Sequence, residues 1–167
     1  MNVRAAYTAA VAVAAGLCVL QVFLPWMSLD LRVPILGSIA EVTRYGYQGD
    51  GLITLLVGMI ALGFVAYLWS DRSRKAFRLV ATFNVCLGAL IVATALVNLV
   101  DSERGLGGAQ QDIGIDLEAL IGLDLSEVTK TGPGVYVAIA AGAVLALASL
   151  AAGFVHRSEA ADGDSGG

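Results

Sequence analysis

Leu79 to Val100 reads LVATFNVCLGALIVATALVNLV, 22 residues without a charged side chain. Arg72, Arg74, Lys75 and Arg78 crowd one end of it and Asp101 closes the other. At 1.5 Å rise per residue, about 20 apolar residues match a hydrocarbon core about 30 Å thick, so the stretch predicts a membrane-spanning helix. Asn84, Gly88, Ile91, Ala95 and Asn98 fall on one stripe of that helix. An amide in lipid is costly without a partner, so the stripe is expected to face protein. Asn84 and Asn98 would make helix–helix hydrogen bonds, and Gly88 would mark a close approach.

Three more runs have the same character. Residues 5–24 are uncharged and end at Pro25-Trp26, a helix stop followed by an interfacial aromatic. The run is longer than a signal-peptide core and no small-x-small site leads into a polar start, so it is taken as a span. Residues 51–69 carry Thr54, Gly58 and Ala61 on one face and end near Tyr67 and Trp69. In residues 134–155, Ala138, Gly142, Ala146, Ser149 and Gly153 form a stripe that lets helix backbones come close. The whole chain of 167 residues is 57% hydrophobic and 14% charged, with mean hydropathy +0.79. Soluble domains carry about 25% charged residues, so composition and spans agree on a membrane protein. A net charge of −4 gives nucleic acid no reason to bind.

Two longer polar segments, 26–50 and 101–133, separate the spans on one side. In the first, Leu29, Leu31, Val33 and Ile35 alternate with Ser28, Asp30, Arg32 and Pro34, a strand period. Leu36-Gly37-Ser38 suits a turn and residues 39–47 a returning strand, while Pro34 restricts the first strand to a sheet edge. In the second, every odd position from Ile113 to Leu125 is apolar, including Ile115 and Leu123, which predicts a second hairpin over a competing helix. Leu29, Leu31, Ile113, Ile115 and Leu123 are the candidate partner-binding residues, because such apolar edges need a cover. The tail, 158–167, is small and polar and predicts disorder.

Arg4, Arg72, Arg74, Lys75, Arg78 and Arg157 would fall on one side over short segments, and Arg32, Arg44, Arg104 and Lys130 on the other, spread over the two long segments. That pattern places both termini in the cytoplasm of a multi-pass cell-membrane protein. Arg72, Arg74, Lys75 and Arg78 are candidate contacts for anionic lipid headgroups, at roughly 1 kcal/mol per charge.

Catalytic chemistry has little to stand on. One histidine, His156, and two cysteines, Cys18 and Cys86, each within an apolar run, offer no converging metal-ligand set. The CxxC pair of membrane thiol oxidoreductases is missing, and no span holds the buried carboxylate of a small multidrug transporter. Gly105-Leu-Gly-Gly lacks the Lys-Ser/Thr of a phosphate loop, and Asp112, Asp116, Glu118 and Asp124 lack EF-hand spacing. The chain is expected to be non-catalytic and to hold no cofactor or metal.

Four spans, the Pro25-Trp26 exit and a strand-forming first outer segment together resemble the claudin layout. The segment has neither the Gly-Leu-Trp nor the paired cysteines of claudins, so the resemblance is architectural. The Ala, Gly, Val and Asp bias and the re-entry sequence YGYQGDGLITLLVGMIAL look like small uncharacterised four-span membrane proteins of high-GC bacteria such as actinobacteria. These readings converge on an all-α transmembrane fold, an antiparallel four-helix membrane bundle with a small β-rich extracytoplasmic cap from the two outer loops. The expected function is an accessory or scaffold subunit of a cell-envelope complex that recognises another membrane or extracytoplasmic protein. The alternative is a small transporter or channel component with the Asn84 face lining a path in a homo-oligomer. Helix packing is expected at Asn84, Gly88, Asn98, Gly58, Gly142 and Gly153.

Overall fold

The structure is a computed structural model that describes residues 3–33, 37–70, 73–100 and 129–164. Its element order is α1 (Val3–Val22), β1 (Pro25–Val33), β2 (Gly37–Tyr45), a 3₁₀ turn (Gly46–Gln48), α2 (Gly51–Ser70), α3 (Arg74–Val100), β3 (Thr129–Thr131) and α4 (Pro133–Asp164). Each helix contains a stretch of 19 to 26 residues that is long and apolar enough to cross a membrane. A helix satisfies its backbone polar groups internally, so these four sequences can stay helical in lipid. The chain is thus a multi-pass integral membrane protein.

The helix ends follow from particular residues. At the end of α1, Phe23 and Leu24 donate to Leu20 O and Gln21 O at 3.1 and 3.2 Å, and Pro25 then removes the next donor. The chain turns straight into β1. Ser73 caps α3: its Oγ accepts from Ala76 N at 3.1 Å, and its carbonyl accepts from Phe77 N at 3.3 Å. This cap starts α3 at Arg74 rather than at Leu79, so Arg74, Lys75 and Arg78 lie on its first turns instead of in a connector. Beyond the fourth apolar run, α4 continues through Asp164, where composition predicts disorder from 158. A helix already nucleated extends cheaply through Arg157, Glu159, Ala160 and Ala161, all good helix formers.

The strands form one antiparallel sheet in the order β2-β1-β3. Leu29 pairs with Val42 on one side and Thr129 on the other, and Leu31 pairs with Ala40. The expectation of an edge position for the first strand is corrected: β1 is central. Pro34 falls past the strand's last residue, Val33, and Pro25 sits at its first, where a missing N–H breaks no interior ladder bond. The predicted hairpin at 113–125, with Ile113, Ile115 and Leu123, lies outside the described residues.

In the helix assembly α4 packs extensively on α1 and on α3, α2 packs chiefly on α1, and the α2–α3 contact is smaller. On α1 the buried residues Tyr7, Val11, Ala14, Cys18 and Gln21 recur at alternating four- and three-residue steps. That is the seam of left-handed helix packing. Leu20, Leu56, Phe83, Leu147 and Phe154 are among the large apolar side chains on the outside. Such a surface suits lipid rather than water.

Candidate functional site

Two polar nodes lie inside this bundle. The first joins the last turn of α1 to the first turn of α2. Gln21 and Thr54 are fully buried. Gln21 Nε2 lies 2.6 Å from Thr54 Oγ1, 2.9 Å from Cys18 O and 3.2 Å from Gly51 O. Thr54 Oγ1 in turn donates to Gly51 O at 2.8 Å. The amide nitrogen is thus shared among three acceptors, while Gln21 Oε1 is buried without a partner.

This node carries the sheet. Trp26, the second residue of β1, is 7% exposed and donates its indole Nε1 to Gln21 O at 3.0 Å. Two glycines make room for the ring. A Cβ on Gly46 would come within 2.7 Å of Trp26 Nε1, and one on Gly134 would collide with Trp26 Cδ1. Backbone bonds complete the mount: Gly46 N donates to Leu24 O at 3.3 Å and Gly132 N to Trp26 O at 2.8 Å. The segments before α2 and before α4 are both tied to the exit of α1. Nearby, Asn98 Nδ2 donates to Asp50 Oδ2 and to Thr94 O, each at 2.9 Å, linking the end of α3 to the start of α2.

The second node lies toward the other end of α1. Asn84, fully buried, donates Nδ2 to Tyr7 Oη at 2.7 Å, and the Ser149 hydroxyl also lies within hydrogen-bond reach of Tyr7. Ser149 Oγ donates to Leu145 O at 2.7 Å. Three helices meet there: α1, α3 and α4. Asn84 Oδ1 has no partner. Tyr7 packs edge-on to Phe77 with ring centroids 5.3 Å apart, and the Arg4 guanidinium lies 5.5 Å above the same Phe77 ring.

The packing glycines divide into two groups. A Cβ on Gly88 would sit 2.6 Å from Gly142 O, and one on Gly142 would sit 2.7 Å from Gly88 O. Backbone meets backbone where α3 crosses α4. Gly58 admits Cys18, whose Cβ would lie 2.7 Å from an added methyl. Gly153 is corrected: a Cβ there meets nothing within 4 Å. The tight face of α4 runs through Ala138, Gly142, Leu145, Ser149 and Ala152, one position short of it.

Of the other sequence candidates, Leu29 and Leu31 lie on β1, Lys75 and Arg78 are exposed on α3, and Arg74 is its first residue. Arg72 lies outside the described residues. Asn84 is not alone among the buried polar side chains of the described spans. Gln21, Thr54, Tyr7 and Ser149 are buried with it. The signal for Gln21 was its seven-residue spacing from Ala14 and Tyr7. Among the described residues, no three His, Cys, Asp or Glu side chains gather where they could hold a metal ion. No known protein family and no curated protein matches this chain.

Proposed function

We propose that this protein is a non-catalytic accessory or scaffold subunit of a cell-envelope complex. In this reading the four helices form an antiparallel bundle in the cell membrane, with the sheet as an extracytoplasmic cap and both termini cytoplasmic. The observation that carries it is the way the sheet is mounted. Trp26, tied to Gln21 and seated against Gly46 and Gly134, fixes β1 to the bundle. The nine-residue β2 is then held at the outer edge of the three described strands. An edge strand exposes a ladder of N–H and C=O groups that an extended segment of a partner can complete. A fixed edge loses less entropy on binding than a mobile loop does.

The orientation has its own support. Arg74, Lys75 and Arg78 stand in the first turns of α3, where cations oppose the helix dipole by a few tenths of a kcal/mol each. Their benefit to the protein therefore lies outside the helix, in topology and in lipid contact. Asn84 is buried and donates to Tyr7, which supports a bracing role for it over a path-lining one.

A photo-crosslinking residue at Thr43 of β2 tests the reading in native membranes, with Leu56, exposed on α2, as control. Thr43 should give one protein adduct of discrete mass and Leu56 none. Equal labelling from both, or none from Thr43, overturns it. Reporter fusions at Ala161 and within 109–112 test the orientation; a cytoplasmic signal from the second site reverses it.

A further inference from the structure

Where the first turns of α3 pass the last apolar turns of α4, the two helices leave a groove of about 450 Å³ between them. Thr82, Val85 and Cys86 wall it on α3; Leu150, Gly153 and Phe154 wall it on α4. Gly153 keeps the slot open, since a Cβ there would meet nothing within 4 Å. The hydroxyls of the wall are already engaged: Thr82 Oγ1 donates to Arg78 O at 3.0 Å and Ser149 Oγ to Leu145 O at 2.7 Å. Water would find few partners there, and an empty slot would forfeit dispersion contacts, so an apolar chain suits it best. One end is different in kind. Arg78 lies there, exposed, and among the described residues nothing accepts a hydrogen bond from its guanidinium or pairs with its charge. Arg4, by contrast, is held by Ser73 O at 3.3 Å and by the Phe77 ring. From Arg78 to Cys86 the groove follows α3 for about 12 Å, at 1.5 Å rise per residue.

We propose that this groove binds one anionic phospholipid, with the phosphate at Arg78 and an acyl chain running past Gly153 toward Cys86. An unpaired guanidinium at the end of an apolar slot matches a phosphate joined to a hydrocarbon chain, whereas a free phosphate would leave the slot unfilled. Charge also selects this occupant over a second copy of the chain. Copies share one orientation in a membrane, so a twofold contact of this face would set Arg78 against its counterpart. The site deepens the lipid contact given above for Arg78 and rests on the bilayer placement of the bundle, but not on the scaffold reading. Its failure would leave the crosslinking result at Thr43 unaffected.

Native mass spectrometry of the full chain in mild detergent tests it, with phosphatidylglycerol and phosphatidylcholine of identical acyl chains as probes. The protein should retain one phosphatidylglycerol with at least about a fivefold preference, the factor that roughly one charge at the surface supplies. Arg78→Gln should abolish the preference and Arg78→Lys keep most of it. Gly153→Leu, which fills the slot from a position with room for a side chain, should reduce retention of both lipids. Lys130→Gln removes one exposed charge on β3 and should leave the preference intact. Equal retention of the two lipids by the unmodified chain overturns the proposal, as does a Lys130→Gln effect equal to that of Arg78→Gln. A dimer that Gly153→Leu dissociates also overturns it, and assigns the face to a second copy.

Discussion

Where α3 meets α4, backbone touches backbone; where α1 meets α2 near the sheet, side chains do the joining. Gly88 and Gly142 bring the first pair so close that each glycine would drive a methyl group into the other's carbonyl. The second pair relies on Gln21 reaching Thr54, Gly51 O and Cys18 O, with only the Gly58–Cys18 approach as close. Lipid chains are as apolar as leucine, so burial alone does not drive helices together in a membrane; packing and hydrogen bonds remain. The two contacts use these in different proportion, and they should fail differently. Overpacking a tight contact costs about 1–3 kcal/mol and at times more. A side-chain hydrogen bond between membrane helices averages about 0.6 kcal/mol and reaches about 1.7.

The largest effect is therefore expected at the glycine crossing. Gly142→Leu should push α3 and α4 apart and cost about 3 kcal/mol or more, read as a collapse of the thermal transition in detergent. Gly88→Ala places one methyl 2.6 Å from Gly142 O and should cost less, about 1–3 kcal/mol. An unchanged transition for both would mean the crossing is not a tight contact. Gln21→Leu probes the other pair. It keeps nearly the same volume, loses the bonds to Thr54 and Gly51 O, and also removes the partnerless Oε1 from the interior. The net loss should stay near 1 kcal/mol, and a loss as large as that of Gly142→Leu would erase the distinction between the two contacts.

What the sequence made legible follows the same division. The four spans are properties of single stretches, so hydropathy finds them without knowing any neighbour. The stripe Asn84, Gly88, Ile91, Ala95, Asn98 was readable because two amides and a glycine share one face of one helix. Gln21 shares a seven-residue spacing with Ala14 and Tyr7, but its role was not readable, since its partner Thr54 is 33 positions away and one amide near the end of an apolar run leaves mean hydropathy almost unchanged. Ser149 was noticed as a small residue and not as a neighbour of Tyr7, for the same reason. The alternation around Leu29 and Leu31 gave the strand, but Pro34 was read as confining it to a sheet edge. The central position of β1 depends on Thr129–Thr131, three residues with no hydrophobic pattern of their own. Trp26 was read as an interfacial anchor, yet it is buried, because the glycines that admit it, Gly46 and Gly134, stand far from it along the chain.

The smallest effects sharpen the comparison most. Asn84→Leu removes the bond to Tyr7 and also the orphaned Oδ1, so its cost should be about 0.6 kcal/mol, the average for such bonds. Gly153→Ala should cost nothing and gain up to about 1 kcal/mol from helix propensity, because its Cβ meets open space. Gly153 and Gly142 lie on the same sequence stripe of α4, yet opposite signs are expected from the same added methyl at the two positions. Thermal unfolding of Gly142→Ala and Gly153→Ala in one detergent measures the difference directly. Destabilisation by both would return Gly153 to the helix contact, and tolerance of both would mean that α3 and α4 can part at Gly142 at little cost.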